Sequence, residues 1–95
     1  MADDFLVSAS LTALPLDADF SASPTSGTAP LTVGFTDFST GNPISWSWDF
    51  GDGNLSTVQH PTHIFENPGS YTVTLTVSDG TDSDSETKTD YIEIS

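Results

Sequence analysis

The chain has 95 residues, 14 of them acidic and one basic, for a formal net charge of −13, and it has no cysteine. A chain of this length buries about 60–65% of its unfolded surface, enough for one modest core and no second domain. The charge excludes nucleic-acid phosphates and anionic membranes as partners, because nothing is present to replace their counterions; the missing thiols exclude a disulfide framework, a cysteine zinc site and a thiol nucleophile.

Met1-Ala2-Asp3-Asp4 lacks the basic start and long apolar run of a secretory leader, and no apolar run reaches membrane-spanning length. Asp4-Phe5-Leu6-Val7-Ser8 echoes Asp90-Tyr91-Ile92-Glu93-Ile94 near the end, matching acid, aromatic and aliphatic in order before Val7 meets Glu93. One reading makes residues 4–8 the tail of a preceding copy of the same domain, with residues 9–17 as linker stiffened by Pro15. The other makes them an ordinary N-terminal strand or arm. Either way residues 1–17 form an arm and residues 18–95 the domain.

From there the apolar period is two. Phe20 and Ala22 begin a strand. Leu31, Val33 and Phe35 alternate with Thr32, Gly34 and Thr36. Ile44, Trp46, Trp48 and Phe50 alternate with Ser45, Ser47 and Asp49. His63-Ile64-Phe65 reads as a short strand. Tyr71, Val73, Leu75 and Val77 alternate with threonines and Ser78, and Ile92 and Ile94 mark a last strand. Each pattern is a half-buried strand with its apolar side inward. Gly41-Asn42-Pro43, Gly51-Asp52-Gly53-Asn54, Asn67-Pro68-Gly69 and Asp79-Gly80 are turn clusters. Short strands separated by frequent turns predict an all-β sandwich of two antiparallel sheets. Its 28 Ser and Thr residues suit the outward positions.

Trp48-Asp49-Phe50-Gly51-Asp52-Gly53 is the densest signal. Two aromatics two residues apart point to one side of a strand. The glycines and Asp52 then turn the chain, since Gly accepts positive φ and Asp-Gly is a preferred turn pair. Together with Ala18-Asp19-Phe20-Ser21-Ala22-Ser23-Pro24, Ala29-Pro30-Leu31-Thr32-Val33-Gly34-Phe35, Pro61-Thr62-His63-Ile64-Phe65 and the run from Pro68 to Val77, all in family order, this hexapeptide resembles the polycystic kidney disease (PKD) domain over residues 18–95. The resemblance implies an immunoglobulin-like β-sandwich of about seven strands. It also implies a non-catalytic spacing, adhesion or interaction module of an extracellular or cell-surface protein. Such domains stand in tandem in archaeal surface-layer proteins and accompany secreted bacterial proteases, collagenases and chitinases. Implied partners are neighbouring domains of the same chain, other surface proteins or glycans, with the isolated domain a monomer that binds no nucleic acid and inserts in no membrane.

Each candidate site has a structural reading beside the chemical one. Trp46 and Trp48 would serve as a sugar platform only if exposed, and the alternation turns both inward; Phe38 and Phe5 are the remaining aromatic candidates. Asp49 and Asp52 flank a glycine turn instead of facing across a cleft, so they suit capping of turn N–H groups better than acid–base catalysis. Asp79, Asp82, Asp84 and Glu86 form the densest acidic stretch. Calcium needs six to eight oxygens held by a loop, and their spacing fits no EF-hand, so a solvated hairpin is the simpler reading. Some domains resembling this one bind calcium near the domain start, where Asp17 and Asp19 stand; calcium is the single cofactor to weigh. His60 and His63 lie three apart with no carboxylate in their own motif, which argues against zinc. His63 and Tyr71 match family positions with structural roles: a hydrogen bond inside the sandwich and a tyrosine corner. Asn54-Leu55-Ser56 is a glycosylation sequon just past the signature turn. No Gly-x-Ser-x-Gly elbow and no phosphate loop is present. A calcium- or carbohydrate-binding accessory domain of a secreted hydrolase is the alternative function.

Overall fold

The computed structural model describes residues 15–95. The residues 4–8 echo, the residues 9–14 portion of the linker and Phe5 lie outside them. Eight strands form: β1 (Phe20–Ser23), β2 (Ser26–Gly27), β3 (Leu31–Asp37), β4 (Ser45–Asp49), β5 (Leu55–Ser56), β6 (Thr62–Phe65), β7 (Gly69–Ser78) and β8 (Ser83–Ile94). They make two sheets, β1-β3-β6 and β2-β8-β7-β4-β5, which pack face to face as the alternation predicts.

Two details depart from expectation. The sheets are not wholly antiparallel, because β2 pairs parallel with the end of β8, Ser26 opposite Glu93 and Gly27 opposite Ile94. And β8 is twelve residues long, reaching back through the acidic stretch to Ser83. Ile92 and Ile94 marked only its end because Asp84, Glu86 and Lys88 hold the alternate positions nearer its start. The register between β7 and β8 shifts between Tyr71 and Val73, where Asp90 has φ of 50°.

The inward residues of both sheets meet in one core of Ala18, Phe20, Val33, Phe35, Trp48, Phe50, Phe65, Val73, Leu75, Val77, Ile92 and Ile94. Trp48 is fully buried. Its ring meets Phe20 edge-on at 5.1 Å, Phe35 at 5.4 Å and Phe50 in a stack at 6.2 Å. Phe20 and Phe35 come from the opposite sheet, so the indole joins the two layers. Its Nε1 donates to the Val58 carbonyl at 2.8 Å, satisfying the ring's one polar atom.

Ile44 was expected inward with Trp46 and Trp48, and it is 67% exposed. It precedes β4, its N–H donating to the Ser78 carbonyl, beyond the last layer of core residues. Its side chain rests over the turn at Gly80 instead. Trp46 is half-buried at the margin of the core, an intermediate outcome for the same alternation.

The two side edges of the sandwich are treated differently. Along β1, the N–H groups of Ser21 and Ser23 face β3, while those of Ala18, Phe20 and Ala22 face away from it. All three outward donors meet side chains: Asp84 Oδ2 for Ala18 at 2.8 Å, Asp19 Oδ1 for Phe20 at 2.8 Å and the Tyr91 hydroxyl for Ala22 at 3.1 Å. Asp84 and Tyr91 belong to β8, so side chains close the gap between the sheets on this side. Lys88 of β8 completes the seam, 3.5 Å from Asp19 and from Glu86, its ammonium 5.2 Å from the Phe20 ring centre and 5.6 Å from that of Tyr91.

Trp48→Ala is expected to cost about 3–5 kcal/mol, a large part of the ~5–15 kcal/mol that holds an ordinary domain folded. Urea denaturation followed by circular dichroism reads the loss; a change under ~1 kcal/mol would show that Trp48 does not join the layers.

Candidate functional site

The signature turn is built from β4 outward. Asp49, exposed at the end of β4, accepts the Gly51 N–H at 2.9 Å, and Asp52 Oδ1 accepts the Asn54 N–H at 3.0 Å. Each carboxylate caps the turn two residues ahead, as short acidic side chains do. Gly51 has φ of +80°, and a Cβ there would stand 2.4 Å from the Thr72 carbonyl oxygen. The turn is therefore pressed against β7, and only glycine fits.

The second oxygen of Asp52 lies 2.6 Å from His63 Nε2. An ionised carboxylate can only accept, so Nε2 carries the proton. The His63 ring stacks on Phe50 at 4.3 Å with a 6° interplanar angle, and meets Phe65 edge-on at 4.7 Å. Both side chains of the pair are about 15% exposed. The histidine motif itself offered no carboxylate; the partner comes from a turn eleven residues earlier and on the other sheet. Burial raises the Asp52 pKa, but the hydrogen bonds from His63 and Asn54 outweigh it and hold the carboxyl below its ordinary 3.8. Aromatic rings cover the imidazole, so this pair ties β6 to the β4–β5 turn and does not present a reactive base.

Asp37 was not foreseen. It is 9% exposed, and its Oδ2 accepts from Trp46 Nε1 at 2.9 Å and Gln59 Nε2 at 3.1 Å, while Oδ1 accepts the Ser39 N–H at 2.9 Å. Burial raises its pKa, and the bonds from Ser39, Gln59 and Trp46 together lower it below 3.8. The signal was present: Leu31, Val33 and Phe35 place Asp37 at the next inward position, where an acid needs donors. His60 stands beside it, its Nδ1 accepting the Asp37 N–H at 3.1 Å.

The calcium candidates take up structural partners. Asp79 Oδ1 accepts the N–H groups of Thr81 and Asp82 at 2.9 and 2.7 Å, and these bonds lower its pKa. With Asp82 it forms the turn of the β7–β8 hairpin. Asp84 caps Ala18, Glu86 and Asp19 flank Lys88, and Asp17 pairs its backbone with Thr40. Among the described residues, no three His, Asp or Glu side chains converge as a metal site. Tyr71 donates to the Asn67 carbonyl at 2.6 Å and packs on Phe65, a tyrosine corner in place. Asn54 is exposed in its turn, and Phe38 is 57% exposed.

A family model described as PKD domain matches residues 12–94. A collagenase of Bacillus cereus, ColA, is 47% identical over 49 residues, covering 52% of this chain and 5% of the collagenase. The crystal structure of the PKD1 domain of the Vibrio cholerae metalloprotease PrtV superposes with a TM-score of 0.69 at 36% identity, covering 82% of this chain and 96% of that domain. A structure described by the promiscuous specificity of carbohydrate-binding modules of the β-sandwich superfamily superposes with a TM-score of 0.76 at 33% identity, covering 84% of this chain and 34% of its own. The chain thus spans a small fraction of the collagenase it matches in sequence.

The two signature glycines differ in a way that stability measurements resolve. Gly53 has φ of +93° with nothing within 4 Å of a built Cβ, so Gly53→Ala carries only the left-handed backbone cost of about 1–2 kcal/mol. Gly51→Ala adds the clash with Thr72, about 1–3 kcal/mol more. Equal losses for the two variants in thermal denaturation would contradict the packing of this turn on β7.

Proposed function

The chain belongs to the PKD domain family, and we propose that it acts as a non-catalytic spacer and interaction unit of a larger secreted or cell-surface protein. The observation that carries this reading is where the described residues enter and leave the sandwich. Asp17 enters beside Thr40 at the pole that also holds the β7–β8 turn. Ser95 leaves at the other pole, its N–H donating to the Gly27 carbonyl at 2.8 Å. Between them runs β8, twelve residues, about 40 Å of extended chain. A unit with entry and exit at opposite poles adds its full length to a chain of domains.

The pairing suits that task. Tension between the poles would pull β1 along β3 and β8 along β7, both antiparallel neighbours. Ladder bonds perpendicular to the pull then share the load and do not open one by one. The acidic surface suits an extracellular, crowded setting, where self-repulsion keeps copies soluble. Partners in this reading are the adjoining domains, surface proteins and glycans; archaeal surface layers and tandem arrays are settings that fit it.

A second reading, an accessory module for neutral polysaccharide, is favoured by the 33% identity to the structure described by carbohydrate-binding modules. A calcium-dependent module is the other alternative, resting on Asp17, Asp19, Asp79, Asp82, Asp84 and Glu86.

Amide-resolved NMR titration of the 95-residue chain separates these. The spacer reading expects only small, diffuse shifts with calcium, matching those with magnesium, and none that saturate with neutral oligosaccharides. Saturable calcium shifts confined to residues 79–86, or to Asp17 and Asp19, would replace it with a calcium-dependent module. Saturable sugar shifts near Trp46, Gln59 and Phe38 would replace it with a glycan-binding one.

A further inference from the structure

The edge of the sandwich opposite the β1–β8 seam is open. The Phe35 N–H donates to the Pro61 carbonyl, which makes Val33–His63 and Leu31–Phe65 the hydrogen-bonded pairs of the β3–β6 ladder. The N–H and C=O groups of Thr62 and Ile64 therefore point away from β3, and among the described residues nothing reaches them. The other sheet edges offer less. The outward donors of β1 meet side chains, and β2 and β5 are two residues each. Among the described residues, β6 is thus the longest strand edge without partners.

Its surroundings set it apart as well. Of the five exposed large hydrophobics among the described residues, Leu55, Val58 and Ile64 lie in β5, in β6 or in the loop joining them. In a chain of net charge −13, residues 53–65 contain no carboxylate. Two copies of so acidic a chain repel each other. At this edge they can approach without setting carboxylate against carboxylate, and an unpaired, uncharged, apolar strand edge is a template for another strand.

The edge is also complementary to itself. Set antiparallel about a two-fold axis through His63, β6 places Thr62 opposite Ile64 of the second copy, and Ile64 opposite its Thr62. The N–H and C=O groups of both residues face the edge, so each pair exchanges both backbone bonds. Pro61, which lacks an N–H, falls opposite Phe65 of the second copy, at positions whose backbone groups face β3, and so leaves the pairing intact. The same register sets Glu66, the first carboxylate beyond the edge, opposite His60 of the second copy. His60 Nδ1 accepts the Asp37 N–H, so the neutral ring carries its proton on Nε2 and can donate it to a carboxylate.

We propose that this edge docks a second copy of the chain, β6 on β6, joining the two three-stranded sheets into one of strand order β1-β3-β6-β6-β3-β1. The axis is perpendicular to β6, so the two units run antiparallel. The pole where Asp17 enters and the pole where Ser95 leaves stay free in both copies, and pairing does not interfere with a spacer's reach. With so short a ladder the contact is weak, with a Kd of about 0.1–1 mM. Salt strengthens it, because salt screens the repulsion between acidic surfaces and leaves strand bonds and apolar contacts in place.

Sedimentation velocity on the intact 95-residue chain, up to about 1 mM and with and without ~0.5 M sodium chloride, tests the proposal. A monomer–dimer equilibrium is expected, shifted toward dimer by salt. In hydrogen exchange, the Thr62 and Ile64 amides should slow in step with the dimer fraction. Ile64→Glu, which adds a carboxylate to the edge, should weaken association at least tenfold. Thr62→Pro, which removes an edge donor that β3 does not use, should do the same. Ile44→Glu adds the same charge at an exposed apolar site near the β7–β8 turn and should leave association unchanged. Near-ultraviolet circular dichroism of the buried Trp48 checks that each variant is folded. A chain that stays monomeric at about 1 mM in salt would overturn the proposal, as would equal weakening by Ile44→Glu and Ile64→Glu. Protection of Thr62 and Ile64 in the monomer would also overturn it, by assigning the edge to another segment of the same chain.

Discussion

The structure depends on one indole. Two sheets of short strands, rich in Ser and Thr, have little apolar surface to hold them together, and Trp48 supplies the largest share at the centre. Its ring reaches Phe20 and Phe35 across the interface and Phe50 beside it, and its N–H anchors Val58 in the β5–β6 connection. Burial of a ring this size contributes both area and geometry: the edge-on and tilted contacts fix how the layers sit, which a smaller aliphatic would not do. The glycine turn that follows exists to let β4 end immediately after this ring, and its Asp52 then clamps His63 on the facing sheet.

Around that centre, carboxylates act as parts of the backbone's hydrogen bonding. Asp49, Asp52 and Asp79 cap turns, Asp37 gathers an indole, an amide and a backbone donor, and Asp84 closes a strand edge. A short acceptor-only side chain does this well because an ionised oxygen bonds N–H donors more strongly than a neutral one. The high negative charge is thus partly structural. Lys88, the one basic residue of the chain, sits where two of these acids and two aromatic rings meet at the β1–β8 seam.

What the sequence made legible follows from range. Period-two alternation located β1, β3, β4 and β7, and a short run between breakers located β6, because these signals are local and each strand buries one face. Strands β2 and β5, two residues each, carry no period, and the early half of β8 hides behind Asp84, Glu86 and Lys88, which face a seam and not the core. Turn caps at Asp49 and Asp52 were readable because their partners lie two residues away. The Asp52–His63 clamp and the Asp84–Ala18 bond were not, since eleven and 66 residues separate their partners. Ile44 shows the limit of periodicity itself: the alternation continues one step past the point where the opposite sheet stops covering it.

The spacer account joins these features into one mechanical claim: a core centred on Trp48, a seam at β1–β8, and load applied lengthwise to antiparallel ladders. Single-molecule force spectroscopy, pulling from the two ends of the chain, tests it most directly. The account predicts one cooperative rupture that releases β1 through β8 together. Stepwise lengthening at low force, with β1 or β8 peeling away before the Trp48 core opens, would contradict it.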